Sequence, residues 1–138
     1  MVATTTLKPS FRQLLQNNYP KFTFIDGDKF TFCPPKTIII GPPEPNDALL
    51  LLHELGHALS DHNDYNTHIE RLKIETEAWS VAKKLCQEYN VPYDEDFVEA
   101  QLDTYRDWLH TKSICKKCGL TRCQSQSGKY YCPLCDIM

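Results

Sequence analysis

The sequence of 138 residues contains no long apolar run, no internal repeat and no low-complexity stretch. Its longest uninterrupted apolar segment, residues 48–52, has five residues, whereas a helix that crosses a bilayer needs about 20. Residues 1–6 also lack the charged-then-apolar layout of a signal peptide. We therefore expect a protein with no membrane partner and a cytoplasmic location.

The composition, with 41% hydrophobic and 24% charged residues, is typical of a folded protein. Its length allows one ordinary domain, or a smaller domain with a short appendage that a metal ion stabilises.

Charge is uneven along the chain. Residues 112–138 hold five basic residues and one acidic residue, whereas residues 1–111 hold ten basic and seventeen acidic residues. We therefore predict two domains, residues 1–111 and residues 112–138.

Local patterns predict an α+β fold. Apolar and polar residues alternate over 22–25 and 30–32 around Asp26-Gly27-Asp28, which predicts a hairpin, and the β-branched run 37–40 predicts a third strand. Apolar spacings of three and four residues predict helices at 11–17, 47–60, 67–89 and 94–110. The expected architecture is a small and mostly antiparallel sheet with three to four helices, followed by the segment 112–138.

The motif His53-Glu54-Leu55-Gly56-His57 carries the strongest chemical signal in the predicted helix 47–60. Its two imidazoles lie one helical turn apart and therefore reach a common ion, and zinc favours such nitrogen ligands. The rest of this helix is almost entirely apolar, so three buried ionisable groups need a partner that offsets their desolvation. We predict that His53 and His57 bind a catalytic zinc ion and that Glu54 is the general base.

A catalytic zinc site usually takes three protein ligands, so a third is expected downstream. The candidates are His62, His68, Glu75 and Glu77. Glu75 lies in the middle of the apolar stripe of the helix 67–89, whereas Glu77 shares its side of that helix with charged residues. A carboxylate in an apolar stripe needs a cation, so we favour Glu75 and leave the other three open.

Two Cys-x-x-Cys pairs stand near the end of the sequence, separated by thirteen residues. Four thiolates at this spacing are typical of a closed tetrahedral zinc site, and a segment of this size has too little apolar core to fold without one. We predict a second, structural zinc ion bound by Cys115, Cys118, Cys132 and Cys135. Cys123 lies inside the loop and is either a free thiol or an alternative ligand to Cys118.

The β-branched run 37–40, the HELGH motif, and Glu75-Thr76-Glu77-Ala78 on a second helix together resemble the ImmA/IrrE-type zinc metallopeptidases. These are gluzincin-like enzymes that typically cleave a repressor or regulator protein. With the four-cysteine segment, the resemblance implies a minimal zincin core followed by a zinc ribbon. The resemblance covers about residues 37–90, and it implies that His53, His57 and Glu75 are the metal ligands and that Glu54 is the catalytic glutamate. Trp79 departs from the family pattern, which commonly has a small polar residue at that position.

The cysteine segment resembles another family, the SprT-like metalloproteases, which carry a C-terminal four-cysteine ribbon and act on DNA-bound proteins. In that family the third ligand is a histidine, for which His68 is the available position. The expected partner is a protein or peptide substrate, with a nucleic-acid contact through the basic ribbon as a second expectation. A third reading, from a different functional class, is a catalytically silent zinc-binding adaptor for a protein or a nucleic acid.

Overall fold

The computed structural model describes residues 7–62 and 65–136 of the chain. Within these residues the fold is α+β, as predicted, with four helices, a mixed three-stranded sheet and a two-stranded sheet. The described residues divide into two compact units, one formed by residues 7–62 and 77–93 and the other by residues 65–76 and 94–136.

The helices and strands follow the predicted segments closely. Their bounds are α1 Pro9–Asn18, β1 Thr23–Asp26, β2 Thr31–Cys33, β3 Thr37–Ile40, α2 Asp47–Leu59, α3 His68–Tyr89, α4 Glu95–Ser113, β4 Cys123–Gln124 and β5 Tyr130–Tyr131. All four predicted helices are confirmed, and the ends of the three longer ones differ from the prediction by at most three residues. Helix α3 contributes its first part to the second unit and its later part to the first unit.

The order of the strands in the first unit differs from the predicted hairpin. Strand β3 lies between β1 and β2, parallel to β1 and antiparallel to β2, so β1 and β2 are not paired with each other. The prediction was wrong because residues 26–30 do not form a tight turn. Instead, the Gly27 amide donates to the Ile40 carbonyl and extends the pairing of β1 with β3. The most β-branched strand thereby takes the central position.

Helix α2 is the buried centre of the first unit. Every residue of the segment 49–58 is buried except Leu50. Helix α2 packs against β2 and β3. The core of this unit also includes Leu15 from α1, Ile38 from β3, and Ala82 and Leu85 from α3. The apolar sequence of α2 therefore places the HELGH motif inside the unit, as the sequence predicted.

Gly56 is the point at which α2 approaches α3 most tightly. A Cβ atom built at Gly56 would lie 2.5 Å from the Ala78 carbonyl oxygen and 3.3 Å from the Ala78 carbonyl carbon. Both are backbone atoms, which cannot move aside as a flexible side chain would. The packing of α2 against α3 therefore requires a glycine at position 56 of the HELGH motif.

We expect Gly56→Ala to destabilise the protein by about 1–3 kcal/mol, the usual cost of an overpacked core. Helix propensity alone would act in the opposite direction, because alanine is more favourable than glycine in a helix by roughly 0.5–1 kcal/mol. Urea unfolding of the variant beside the wild type and the exposed-site control Ser80→Ala tests this expectation. A midpoint for Gly56→Ala at or above that of the wild type would contradict it.

The second unit is built around α4 and the cysteine segment. The Asp94 side chain caps α4 by accepting a hydrogen bond of 3.1 Å from the Phe97 amide. Val98 and Leu102 are its buried residues, and a single bridge joins Ile114 to Thr121 before β4 and β5 pair. The predicted domain boundary between residues 111 and 112 falls in the last turn of α4 and stays a prediction.

In the part of the chain that the structure describes, no helix combines the length and apolar character needed to cross a membrane.

Candidate metal centres

The three ionisable residues of the HELGH motif are buried on α2. His53 is 6% exposed, Glu54 9% and His57 8%. The ring centroids of the two histidines lie 4.6 Å apart, as expected for residues one helical turn apart. The motif therefore presents two imidazoles side by side in a largely desolvated environment.

Glu75 joins these two histidines. One ligand atom from each of His53, His57 and Glu75 lies within 4.8 Å of the other two, an arrangement that could hold a metal ion. Glu75 is 9% exposed, whereas Glu77 is exposed. The structure thus places the carboxylate from the apolar stripe beside the histidines, which is the position that the sequence favoured.

His68 lies in other surroundings in the second unit. Its Nδ1 is 2.8 Å from the Tyr130 hydroxyl, and its ring lies 4.4 Å from that of Trp108. Burial, followed by the nearby charges of Lys112 and Arg71, lowers the pKa of the imidazole. Among the described residues, the groups that could hold a metal do not include His68. His68, the position available for the histidine ligand of a SprT-like site, therefore contacts Tyr130 and Trp108 instead.

Trp79 stacks on His53. The two ring centroids are 3.9 Å apart with an interplanar angle of 20°, and the indole is 3% exposed. This position is where the sequence departs from the ImmA/IrrE-type pattern. A small polar residue would orient a ligand by a hydrogen bond, whereas Trp79 restricts the imidazole by covering its face.

Glu75 is supported within the second unit by α4. The Tyr105 hydroxyl hydrogen-bonds to the Glu75 carboxylate, and burial together with that carboxylate raises the pKa of the Tyr105 phenol. Arg71 lies over the Tyr105 ring at 5.2 Å and donates to the Tyr65 hydroxyl at 3.1 Å. The carboxylate thus receives a neutral donor that holds its orientation without removing its charge.

Glu54 lies beside the group formed by His53, His57 and Glu75. Its Oε2 lies 3.8 Å from Nε2 of His53, and it does not belong to the three-residue group. Glu54 is therefore a fourth buried ionisable group beside the three side chains that could hold a metal ion.

The four predicted cysteines form a second group in the other unit. Ligand atoms of Cys115, Cys118, Cys132 and Cys135 all lie within 4.8 Å of one another, and this group could also hold a metal ion. The sulfur atoms of Cys118 and Cys132 are 3.6 Å apart. All seven cysteines of the chain are free thiols.

Backbone amides point at these sulfur atoms. The Cys135 amide donates to Cys132 Sγ at 3.3 Å, and Gly119, with φ of 79°, permits the tight turn after the first pair. Backbone donors at Cys118 and Lys117 lower the pKa of Cys115 to about 7. The thiolate of Cys115 is therefore stabilised by the loop, whereas the hydrogen bond with Cys118 raises the pKa of Cys135 to about 12.

Cys123 is not a member of the four-cysteine group. It lies exposed in β4, opposite Tyr131 of β5. The alternative in which Cys123 replaces Cys118 is therefore not the arrangement that the structure shows.

A scan against protein-family models, a search of curated proteins and a search of solved structures each find no match to this chain. The resemblances to ImmA/IrrE-type and SprT-like proteins thus rest on the residues alone. What the structure itself shows is two separate groups of side chains, each of which could hold a metal ion.

The sequence does not predict two of the supporting contacts. Tyr105 lies in the predicted helix 94–110, and nothing in its spacing points to Glu75. His62 is one of the four candidates for the third ligand, but its Nδ1 lies 3.0 Å from Nδ1 of His57 instead. A histidine five residues after His57, just beyond the helix end, is the available signal for this second contact.

Proposed function

We propose that the protein is a zinc metallopeptidase of the ImmA/IrrE type that hydrolyses a peptide bond in a protein substrate. The observation that carries the proposal is the grouping of His53, His57 and buried Glu75 with a second buried carboxylate, Glu54, beside them. A catalytic zinc site typically has three protein ligands and one open coordination position, with a general base beside it.

The donor set fits zinc better than calcium or magnesium. Two imidazoles and one carboxylate suit zinc, whereas calcium and magnesium prefer sites made of oxygen ligands. Ligand atoms within 4.8 Å of one another need shifts of less than about 1 Å each to surround an ion at about 2.0–2.1 Å. Zinc bound here would polarise the scissile carbonyl and lower the pKa of the attacking water.

Glu54 would move the proton in this reaction. Its carboxylate accepts a proton from the attacking water and then delivers it to the leaving amide nitrogen, so that one residue acts as base and then as acid. Burial on α2 fixes its position relative to His53. His53, His57 and Glu75 hold the ion and do not need to exchange protons.

We infer that the sheet of the first unit binds the substrate in an extended form. β1 and β2 are its two edges, and the outward carbonyl of Phe24 in β1 already accepts a hydrogen bond of 3.3 Å from Arg12. β2 is the other edge, and it packs against the helix that carries the HELGH motif. We therefore place the substrate as an added strand along Thr31–Cys33, a common way to bind disordered peptides.

The four-cysteine group would hold a structural zinc ion. Sulfur atoms around a tetrahedral zinc at about 2.3 Å lie about 3.8 Å apart, and the separation of 3.6 Å between Cys118 and Cys132 is close to this. Four protein ligands leave no open position, so this ion would stabilise the ribbon and take no part in hydrolysis.

The proposal is tested by incubating the zinc-loaded full chain with an unfolded polypeptide, carboxymethylated lactalbumin, and following cleavage by mass spectrometry. We expect fragments that disappear on addition of 1,10-phenanthroline and return with added zinc. His53→Ala should yield none, whereas the control His110→Ala, at an exposed position on α4, should cleave like the wild type. A fully metal-loaded chain that leaves this substrate and other unfolded polypeptides intact would favour the silent adaptor.

A further inference from the structure

A chain of two short contacts leads from His57 to the surface of the first unit. Nδ1 of His57 lies 3.0 Å from Nδ1 of His62, and Nε2 of His62 lies 2.9 Å from Oε2 of Glu77. The His62 side chain is 10% exposed and that of Glu77 is 48% exposed. His57 therefore contacts His62 through Nδ1, and Nε2 is its remaining ring nitrogen.

The end of α2 explains why His62 reaches back to His57. Asp61 has φ of 56°, in the left-handed region, and its amide donates to the Ala58 carbonyl at 3.2 Å. The His62 amide donates to the His57 carbonyl at 3.1 Å. These two bonds form a Schellman motif, which folds the chain back over the last helical turn. The motif places His62 directly over His57.

The positions of the protons follow from the chemistry of the three groups. An ionised carboxylate only accepts hydrogen bonds, so Nε2 of His62 carries a proton that it donates to Glu77. In a neutral imidazole the other nitrogen, Nδ1, is then an acceptor. When both imidazoles are neutral, the contact with His57 therefore places the proton on Nδ1 of His57 and the lone pair on its Nε2.

We propose that His62 and Glu77 are a positioning pair that fixes the tautomer of His57, so that Nε2 of this residue is always ready to bind the metal ion. The inference rests on the proposed metal site and adds two residues to it. Neither residue belongs to the group of side chains that could hold the ion. Metal-binding histidines commonly donate their second ring N–H to such a partner, and loss of that partner typically weakens metal binding by about 10- to 100-fold.

Two substitutions of nearly equal size separate this role from simple packing. His62→Leu removes the acceptor, whereas His62→Asn keeps an amide oxygen near the position of the imidazole Nδ1. We expect His62→Leu to raise the zinc dissociation constant of the histidine site about 10- to 100-fold in a chelator competition. His62→Asn should retain most of the affinity, and the control His110→Leu should match the wild type. Equal losses in the two His62 variants, or none in His62→Leu, would overturn the proposal.

A second measurement does not depend on metal binding. Long-range proton–nitrogen NMR correlations of the imidazoles, with the histidine site free of metal, report which ring nitrogen carries the proton. We expect the Nδ1–H form of His57 in the wild type. In Glu77→Gln we expect a mixture, because the amide both donates and accepts and so no longer fixes the proton of His62. A wild-type His57 in the Nε2–H form would overturn the proposal.

The two measurements distinguish failure of this inference from failure of the proposed function. If the histidine site binds zinc equally well in the wild type and His62→Leu, the positioning role is wrong and the metallopeptidase proposal is unaffected. If no zinc binds at the histidine site of the wild type, the proposed function fails, and the NMR result still decides whether His62 and Glu77 set the tautomer of His57.

Discussion

Replacing Glu54 with glutamine is expected to abolish peptide hydrolysis while the chain keeps its full metal content. The amide has nearly the size of the carboxylate, but it cannot accept a proton from water at neutral pH. Loss of a positioned general base typically costs about 10²- to 10⁴-fold in rate. Because Glu54 is not among the three grouped ligands, zinc affinity should stay within a few-fold of the wild type.

The measurement is kcat/KM for polypeptide cleavage beside zinc content by atomic absorption. Glu88→Gln is a matched control, since it makes the same change at an exposed position on α3 and should leave both quantities unchanged. Hydrolysis by Glu54→Gln at the wild-type rate would refute the assigned mechanism. Loss of zinc together with activity would instead mean that Glu54 is itself a ligand.

The position of Glu75 shows what periodicity can predict. Glu75 and Glu77 are only two residues apart, so sequence spacing from the HELGH motif does not separate them. The 3.6-residue period of α3 does, because it places Glu75 among Ala78, Trp79 and Ala82, which are all buried. Burying a charged side chain without a partner costs desolvation free energy. This cost favours Glu75 over Glu77, and Glu75 is the carboxylate that lies beside the histidines.

Strand order and side-chain support were beyond the reach of the same reasoning. Alternation of apolar residues predicts that a segment is a strand but not which strand it pairs with, so the parallel pairing of β1 with β3 was missed. The contact of Tyr105 with Glu75 joins residues 30 positions apart. The contact of His62 with His57 depends on one residue, Asp61, that adopts a positive φ. Such a backbone conformation is uncommon outside glycine and has no clear sequence signal here.

Each of the three grouped residues is oriented by a different interaction. His53 is held by stacking on Trp79, His57 by its hydrogen bond with His62, and Glu75 by the hydroxyl of Tyr105. Trp79 therefore supports His53 by stacking. A group whose members are all held in place needs little rearrangement when it binds an ion, which favours tight binding.

Cys132→Ser is expected to remove one of two zinc equivalents and to unfold most of residues 112–136. Cys132 is 1% exposed and is the most buried member of its group, and the strands beside it, β4 and β5, have only two residues each. So little structure does not fold on its own, and structural zinc typically contributes about 10–16 kcal/mol in small domains of this kind. Hydrogen exchange should show loss of protection at β4 and β5, whereas Cys123→Ser, at an exposed thiol outside the group, should keep both zinc equivalents and normal protection. If Cys132→Ser kept two equivalents of zinc and a protected β4–β5 pair, the ribbon would not depend on a metal ion.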